Sequence, residues 1–224
     1  MLQFLQPIFG KLWVLDAVKG LFANRMSGMT ASMFLSVEPS SFKRSKFARR
    51  SLLPLGRDYL WQIETGVVRT LTWLEDGTTL TLGLWGPGDI VSRVLSKAEP
   101  YQIECLTPVE ATVLPLDRWH LVNEALILHI QQFQDFLEIL HCRSVDASLL
   151  RLLSWMANKF GHTVERGQLI DLHLTHQEIS EIIGTTRVTV TRLLNTFEKQ
   201  GIIERLPRKF IVLHEQQPFW HYEI

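Results

Sequence analysis

Residues 184–194 read GTTRVTVTRLL, and this stretch restricts the possible folds of the chain more than any other. Its centre, VTVT, alternates as a β-strand would. When each residue is advanced by the roughly 100° of an α-helix, however, the core-facing positions fall within about a quarter turn. Those positions are Thr186, Val190, Leu193, Leu194 and Phe197. A strand would separate the two adjacent leucines, so we predict a helix over 185–198.

The opposite face of this predicted helix is rich in hydrogen-bond donors. It carries Arg187, Val188, Thr191, Arg192 and Asn195, with no acidic residue before Glu198. The alternating valines therefore belong to two faces of one helix, with Val190 in the core and Val188 outside between two arginines. Arginines on a lone helix face are commonly only solvated, so the interpretation depends on the neighbouring elements.

A second helix is predicted immediately before this one. Thr175 and Glu178 have the spacing of a capping box, HQEISEII follows, and Gly184 permits a tight turn. The small Ser180 stands where the two helices must approach each other. After the second helix, IIERLPRKFIVL (202–213) reads as strand, basic turn and strand. The order helix, turn, helix, hairpin is that of a winged helix-turn-helix.

Such a motif holds its second helix so that its N-terminal, outward residues enter the major groove of DNA. Arginine there can form two hydrogen bonds to guanine, and hydroxyl groups at a helix N-terminus suit phosphate. Basic residues of the hairpin are placed to touch the DNA backbone. The predicted DNA-binding residues are Thr175, His176, Gln177, Thr185, Thr186, Arg187, Val188, Thr191, Arg192, Arg208 and Lys209.

The balanced charge of the whole chain means that any attraction to nucleic acid must come from a local basic surface. The chain has 224 residues, with 23 Lys+Arg against 23 Asp+Glu, so its formal net charge is zero. Its two cysteines, Cys105 and Cys142, indicate a reducing compartment without a disulfide framework. The apolar segment 1–41 is interrupted by charges such as Lys11, and we expect it to be helical, to span no membrane and to belong to a cytoplasmic protein.

Residues 42–116 have the pattern of consecutive β-hairpins. VVRTLTWLE and TTLTLGLW flank Asp76-Gly77, which predicts a two-residue hairpin turn. Leu80, Leu82 and Leu84 alternate with smaller residues and predict one buried face. IECLTPVEATVLPL (103–116) adds further strand, so we predict an antiparallel barrel or roll.

A long helix is predicted over 117–146, with Asp117 as its N-cap. Its apolar residues follow a heptad spacing and predict a dimer interface: Leu126, Ile130, Phe133, Leu137 and Leu140. Ile127 and Phe136 form a second apolar edge that could cover the β domain. A lone amphipathic helix packed on its own domain would explain the stripe about as well. Residues 147–161 then predict a shorter helix ending at Gly161, and 168–174 a strand.

These motifs resemble those of the CRP/FNR superfamily of bacterial transcription regulators over roughly residues 42–213. LWQIETGVVRTLTWLEDGTTLTLGLWGPGDI resembles the family's β-roll, and LTHQEISEIIGTTRVTVTRLLNTFEKQGII resembles its helix-turn-helix. The resemblance implies an α+β fold: an N-terminal β-roll of the cyclic-nucleotide-binding, jelly-roll type (42–116), a dimerisation helix (117–146) and a C-terminal winged helix-turn-helix (147–224). It also implies a homodimer that binds double-stranded DNA at a palindromic site, with RNA polymerase as a further partner and activation as the expected effect.

Within the family, TRVTVTRLL is most similar to the cyanobacterial nitrogen regulators of the NtcA type. The cyclic-AMP receptor has a glutamate where this chain has Val188. An acid can accept a hydrogen bond from cytosine and a valine cannot, so we expect a GTA-N8-TAC-like site rather than one containing TGTGA.

The sensor half departs from the family pattern. Ser92-Arg93 replace the Gly-Glu that holds ribose, and Glu99 stands about where a phosphate-binding arginine would be. These three residues mark the candidate effector pocket, and we expect cyclic AMP not to bind in the family's way. No Lys or Arg occurs between Arg118 and Arg143 to hold 2-oxoglutarate. Two cysteines cannot supply a four-cysteine iron–sulfur centre, and no cofactor or metal is predicted.

Haem ligation through His120, His129 or His141 can be imagined, although a lone histidine on a helix is more often structural. No glycine-rich phosphate loop, HExxH or ordered nucleophile points to an enzyme. The alternative hypothesis is a ligand-binding or protein-interaction module that retains a winged helix without a DNA role.

Overall fold

The computed structural model describes residues 42–207 and 209–213. The predicted N-terminal helical segment (1–41), Arg208 of the basic turn and the C-terminal FWHYEI lie outside the described residues. In the described part of the chain, no helix is both long and apolar enough to cross a membrane.

The N-terminal half is the predicted antiparallel roll. Its strands are β1 (Arg44–Phe47), β2 (Tyr59–Thr65), β3 (Val68–Trp73), β4 (Thr79–Trp85), β5 (Ile90–Val91), β6 (Gln102–Cys105) and β7 (Val109–Pro115). They form two sheets with the strand orders β1-β7-β2-β5 and β4-β3-β6. Apolar residues from both sheets, including Ile63, Val68 and Ile103, are fully buried together. The roll thus has its own core.

The turn between β3 and β4 is wider than the predicted two-residue turn. Residues 74–78 connect the strands, and of the Asp76-Gly77 pair only Gly77 has a positive φ, 83°. The Asp76 carboxylate accepts a hydrogen bond from the Thr78 N–H at 2.8 Å. Asp76 therefore closes the turn with its side chain and does not need the left-handed conformation.

The expected alternation in β4 is only partly correct. Leu84 is buried, but Leu80 and Leu82 are half-buried and Thr81 is buried between them. The register with β3 shifts between Thr70 and Leu71. An extra residue at such a bulge interrupts the two-residue period, so a strict alternation in sequence does not translate into one buried face.

The predicted long helix divides into a 3₁₀ helix and an α-helix, and the shorter helix predicted after it follows. Leu116–Val122 is a 3₁₀ helix, α1 is Asn123–Leu140 and α2 is Val145–Phe160. Asp117 lies in the first turn of the 3₁₀ helix, so its prediction as the N-cap of a long α-helix was wrong. The backbone is kinked at Arg118, whose φ is −103° and ψ is 17°, and this prevents a continuous α-helix from 117.

Side chains, and not a glycine, satisfy carbonyl groups at the C-terminal end of α1. The Nδ1 atom of His141 lies 2.8 Å from the Leu137 carbonyl oxygen, and the Cys142 thiol donates to the Glu138 carbonyl at 3.4 Å. The final carbonyl groups of a helix have no partners within it, so these side chains satisfy them. The expectation of a helix extending to 146 missed this signal.

The C-terminal half is a winged helix-turn-helix. Its elements after α2 are β8 (Gly161–Val164), β9 (Gly167–Ile170), α3 (His176–Ile183), α4 (Arg187–Lys199), β10 (Ile203–Leu206) and β11 (Lys209–Leu213). The four strands pair in the order β10-β11-β9-β8. Strand β8 was not predicted, and the strand predicted over 168–174 ends at Ile170.

Gly161 ends α2 as predicted, although not in the left-handed conformation that is common for glycine after a helix. It follows α2, but its φ of −96° and ψ of 171° are extended and not left-handed. A Cβ atom at this position would lie 2.2 Å from the Ala157 carbonyl oxygen. Gly161 is therefore required by close backbone packing where the chain passes from α2 into β8.

One apolar cluster joins the two halves. Val67, Leu84 and Leu106 of the roll belong to the same buried cluster as Leu153 of α2 and Val190 of α4. Phe136 and Ile139 of α1 also lie in it, so Phe136, which was expected to cover the β domain, is buried in the cluster that both halves share. Ile127 was paired with Phe136 in the prediction, but 56% of its surface is exposed, so that part was wrong.

Candidate nucleic-acid interface

Local hydrogen bonds fix the beginning of α3 as predicted. The Thr175 hydroxyl accepts from the Glu178 N–H at 3.1 Å, and a Glu178 carboxylate oxygen accepts from the Thr175 N–H at 2.6 Å. This reciprocal pair is the capping box. At the other end Gly184 is left-handed, with φ 65° and ψ 41°. Both predicted boundaries of the first helix are confirmed.

The two helices pack through small and branched residues. Val190 and Leu194 of α4 and Ile179 of α3 are fully buried, and Ser180 is 2% exposed. The Ser180 hydroxyl donates back to the Gln177 carbonyl at 2.7 Å, which satisfies it inside the contact. This packing confirms the core role predicted for Val190 and fixes the angle at which α4 is presented.

The outer face of α4 is open and basic. Val188 is 76% exposed, and it stands between the exposed Arg187 and Arg192. The face borders a shallow surface depression of about 570 Å³, lined by Arg187, Val188, Thr191, Arg192, Asn195, Thr196 and Lys199. Neither of the two guanidinium groups forms an ion pair with any residue of the described ranges. Their donors are available to a ligand.

Thr186 is not buried, although the sequence predicted it to face the core. It is exposed and is the N-cap of α4, where its hydroxyl accepts from the Thr189 N–H at 3.2 Å. The helical projection placed it on the core side because the chain was assumed to be helical already at 185. The structure begins the helix at Arg187 and brings Thr185 and Thr186 to its N-terminal edge.

A hydrogen bond joins the start of α3 to the exposed face of α4. Thr191 donates to the Arg187 carbonyl at 2.9 Å, so its oxygen is left to accept from Nδ1 of His176 at 2.8 Å. Burial, with the charges of Arg205 and Arg187, lowers the pKa of His176. A neutral His176 is favoured, and it couples the start of α3 to the exposed face of α4.

The hairpin contacts α4 through a residue that was not predicted. Arg205 of β10 donates through Nε to a Glu198 carboxylate oxygen at 2.8 Å and through Nη2 to the Asn195 side chain at 2.7 Å. Lys209 pairs with Asp171 at 2.7 Å. The hairpin is basic as predicted, but much of its charge is engaged within the protein. No local spacing signals Arg205, because its partners lie on another element.

The three predicted effector residues are engaged in contacts within the roll. Ser92 is 2% exposed, and its hydroxyl donates to the Tyr59 carbonyl at 2.8 Å. Arg93 and Glu99 form an ion pair at 2.5 Å and neutralise each other. Ser92 is therefore a structural residue, and Arg93 balances the charge of Glu99.

The cavity nearby is lined by other residues. Its volume is about 270 Å³, and its lining comprises Thr70, Leu82, Trp85, Leu95, Ser96, Lys97, Ala98, Tyr101, His129 and Phe133. The His129 ring stacks on Trp85 with centroids 4.0 Å apart, and its Nδ1 atom is 3.1 Å from the Ile90 carbonyl. Burial lowers the pKa of His129. Among the described residues, no three His, Cys, Asp or Glu side chains are grouped as metal ligands.

The residues predicted for dimerisation divide into two groups. Ile130, Phe133, Leu137 and Leu140 are exposed along α1, whereas Leu126 packs partly buried beside Leu60, Ile90 and Leu114. A solvent-facing apolar stripe on one helix remains in the single chain. Ile127, the residue after Leu126, is exposed and extends the stripe in the position predicted for Leu126.

Comparisons with known proteins agree with this arrangement. The family model of the Crp-like helix-turn-helix domain matches residues 147–217. The regulatory protein CysR of Synechococcus elongatus is 41% identical over 176 residues, which cover 77% of this chain and 85% of that protein. The global nitrogen regulator of Synechocystis is 33% identical over 66% of this chain and 73% of its own length.

A solved structure of a CRP-family regulator is also similar to this chain. The crystal structure of a CRP-family transcriptional regulator from Thermus thermophilus matches with a TM-score of 0.64 and 25% identity. The match covers 75% of this chain and 91% of that one. With its α+β fold, its winged helix-turn-helix and these relatives, the chain belongs to the CRP/FNR family and is a DNA-binding regulator of transcription, not an enzyme.

Proposed function

We propose that the protein binds a palindromic, GTA-N8-TAC-like site as a homodimer, with α4 in the major groove of each half-site. The observation that carries this proposal is the exposed Val188 between two arginines that have no ion pair among the described residues, on a helix face free of acidic groups. Arg187 and Arg192 are the groups proposed to reach base edges, where a guanidinium can bind guanine O6 and N7 together. Val188 offers only apolar contact, which suits a thymine methyl group.

Phosphate contacts are proposed at the edges of this face. The N-terminal turns of α3 and α4 carry Thr175, His176, Gln177, Thr185 and Thr186, and free N–H groups at helix N-termini attract phosphate. Arg208 and Lys209 of the hairpin are proposed to contact the backbone alongside them. The Lys209–Asp171 pair is exposed, so phosphate can compete for the lysine.

The exposed stripe of α1 supports the homodimer. Ile130, Phe133, Leu137 and Leu140 present large apolar surface that a second copy of the helix would bury. A dimer places two copies of α4 on one duplex. Half-sites in GTA-N8-TAC are about one helical turn apart from centre to centre, which is the separation that dimeric helix-turn-helix proteins require.

The remaining assignments follow from the family. We propose residues 42–116 as the sensor, 117–146 as the dimerisation region and 147–224 as the DNA-binding region. RNA polymerase as a partner, activation as the effect and the cytoplasm as the location are proposed with them. The paired Arg93 and Glu99 provide no free cation for a cyclic nucleotide phosphate.

Fluorescence anisotropy with a GTA-N8-TAC duplex and a scrambled duplex tests the proposal. Arg187→Ala should weaken binding to the site at least tenfold, at about 1–3 kcal/mol for each bidentate contact, and leave binding to the scrambled duplex nearly unchanged. Arg57→Ala is the matched control, because Arg57 is exposed before β2 and far from α4 along the chain. Equal affinity of the unsubstituted protein for both duplexes would refute sequence-specific binding.

Val188→Glu tests whether residue 188 contacts the third base pair of each half-site. A glutamate can accept a hydrogen bond from cytosine N4, so this variant should change its preference from GTA…TAC to GTG…CAC. Val188→Ala is its control and should keep the original preference. If Val188→Glu binds both duplexes as the unsubstituted protein does, Val188 does not face the bases.

A further inference from the structure

A turn of the roll rests against the beginning of α3. It comprises residues 48–51, and Arg50 within it has a positive φ of 70°, the only non-glycine residue of the described ranges with that conformation. Four hydrogen bonds hold the turn. Ser51 donates to the Ala48 carbonyl through its N–H and its hydroxyl, the Arg50 N–H donates to the Cys105 carbonyl, and the Cys105 N–H donates to the Ser51 carbonyl. A left-handed residue that is not glycine persists only where its surroundings enforce it, and such residues concentrate at functional positions.

The Arg50 side chain fixes this turn to the helix-turn-helix. One guanidinium nitrogen lies 3.2 Å from a Glu104 carboxylate oxygen and 2.9 Å from a Glu178 carboxylate oxygen. Glu178 belongs to the capping box in the first turn of α3, and its side chain is 3% exposed. Arg50 therefore balances a buried negative charge at the end of α3 that is proposed to approach phosphate.

Arg49 is presented beside the same helix end. It is exposed, and its Nη2 atom lies 3.1 Å from Nδ1 of His173, two residues before the N-cap Thr175. A guanidinium can only donate, so Nδ1 of His173 accepts. Within the described residues no carboxylate pairs with Arg49, unlike Arg44, Lys46 and Arg50 of the same basic segment. No carboxylate of residues 42–207 or 209–213 therefore neutralises its positive charge.

We propose that Arg49 is a DNA-backbone contact supplied by the roll, which binds a phosphate next to the one held at the start of α3. Arg50 is the positioning residue that orients the turn and offsets Glu178. The inference rests on the proposed function, because it requires the start of α3 to face the duplex. Guanidinium groups bind phosphate with charge-assisted hydrogen bonds, and a contact of this kind adds affinity without sequence preference.

The test is the salt dependence of binding to the GTA-N8-TAC and scrambled duplexes. Each phosphate contact contributes about 0.9 to the slope of log K against log salt, so Arg49→Ala should reduce the slope by about 2 for a dimer. The affinity ratio between the two duplexes should not change. Arg57→Ala removes an equal charge from another exposed turn of the roll and should leave the slope within about 0.5 of the original.

Two further variants separate charge from structure. Arg49→Gln keeps a hydrogen-bond donor toward His173 but removes the charge, so it should reduce the salt slope as much as Arg49→Ala does. Arg49→Lys keeps the charge and should retain the original slope. Equal slopes for Arg49→Ala, Arg49→Gln and Arg57→Ala would overturn the inference. That failure is distinct from failure of the proposed function, which would show as no site preference in the unsubstituted protein and no effect of Arg187→Ala.

Discussion

Arg69 of β3 holds the roll against α3, and replacing it with methionine should destabilise the whole described fold. Its side chain is 8% exposed, and it donates to Glu104 at 2.7 Å through Nε and to Glu181 at 2.8 Å through Nη1. Glu104 lies on β6 and Glu181 on α3, so one buried guanidinium joins two strands of the roll to the helix-turn-helix. Methionine retains the apolar stem and removes the charge.

The magnitude follows from what remains after the change. Removing one partner of a buried ion pair costs about 3–5 kcal/mol, because the other charge is left without compensation. Glu104 keeps the Arg50 contact at 3.2 Å, and Glu181 keeps a hydrogen bond from Gln177 at 3.1 Å. The loss should therefore lie near the lower end, at about 3 kcal/mol, which reduces the ratio of folded to unfolded protein roughly 150-fold.

Urea unfolding followed by circular dichroism measures this loss, at one fixed protein concentration because the stability of the proposed dimer would depend on concentration. Glu181→Gln is the milder companion and should cost about 1–2 kcal/mol, since an acceptor remains and the position is partly exposed. Arg57→Met, at an exposed arginine, should change stability by less than about 0.5 kcal/mol. A loss below about 1 kcal/mol for Arg69→Met would refute the view that this pair is desolvated and joins the two halves.

Three other outcomes are expected. Ile130→Asp with Phe133→Asp should give a monomer in sedimentation analysis, and a dimer of unchanged affinity would remove α1 from the interface. Thr175→Ala should lower the free energy of unfolding by about 1 kcal/mol, and no loss would mean that the capping box is not formed. Because burial lowers the pKa of folded His129, the unfolded chain binds more protons, so stability should decrease as the pH falls below about 6.5. His129→Asn should show a shallower decrease, and an identical pH profile would contradict this.

The helix-turn-helix could be predicted because its signals are local. Each signal involves residues only a few positions apart in the sequence. They are the capping box of Thr175 and Glu178, the turn at Gly184 and the helical spacing around Val190. The predicted roll, hairpin wing and exposed Val188 likewise follow from short-range patterns. Tertiary structure confirms these local preferences here, which is typical of a sequence whose local and global preferences agree.

The parts that were not predicted depend on residues distant in sequence. The small cavity is formed by Trp85 and His129, which are 44 positions apart and stack only after α1 packs on the roll. Arg69 resembles an ordinary solvent-facing strand residue until Glu181 is brought to it. Asp117 was misassigned because a good N-cap residue also suits a 3₁₀ turn, whereas the close packing that requires glycine at 161 is visible only in the structure.

The apolar cluster shared by Val67, Leu84, Leu106 and the helices of the C-terminal half limits how such regulators can be recombined. A chimera that joins the roll of one relative to the helix-turn-helix of another would place unmatched side chains in a single core. Volume changes in a closely packed core are costly, so the hybrid would lose solubility before any change in DNA preference could be measured. Exchange of only the exposed residues of α4, such as Val188, leaves that cluster intact and is the smaller change by which specificity can be transplanted.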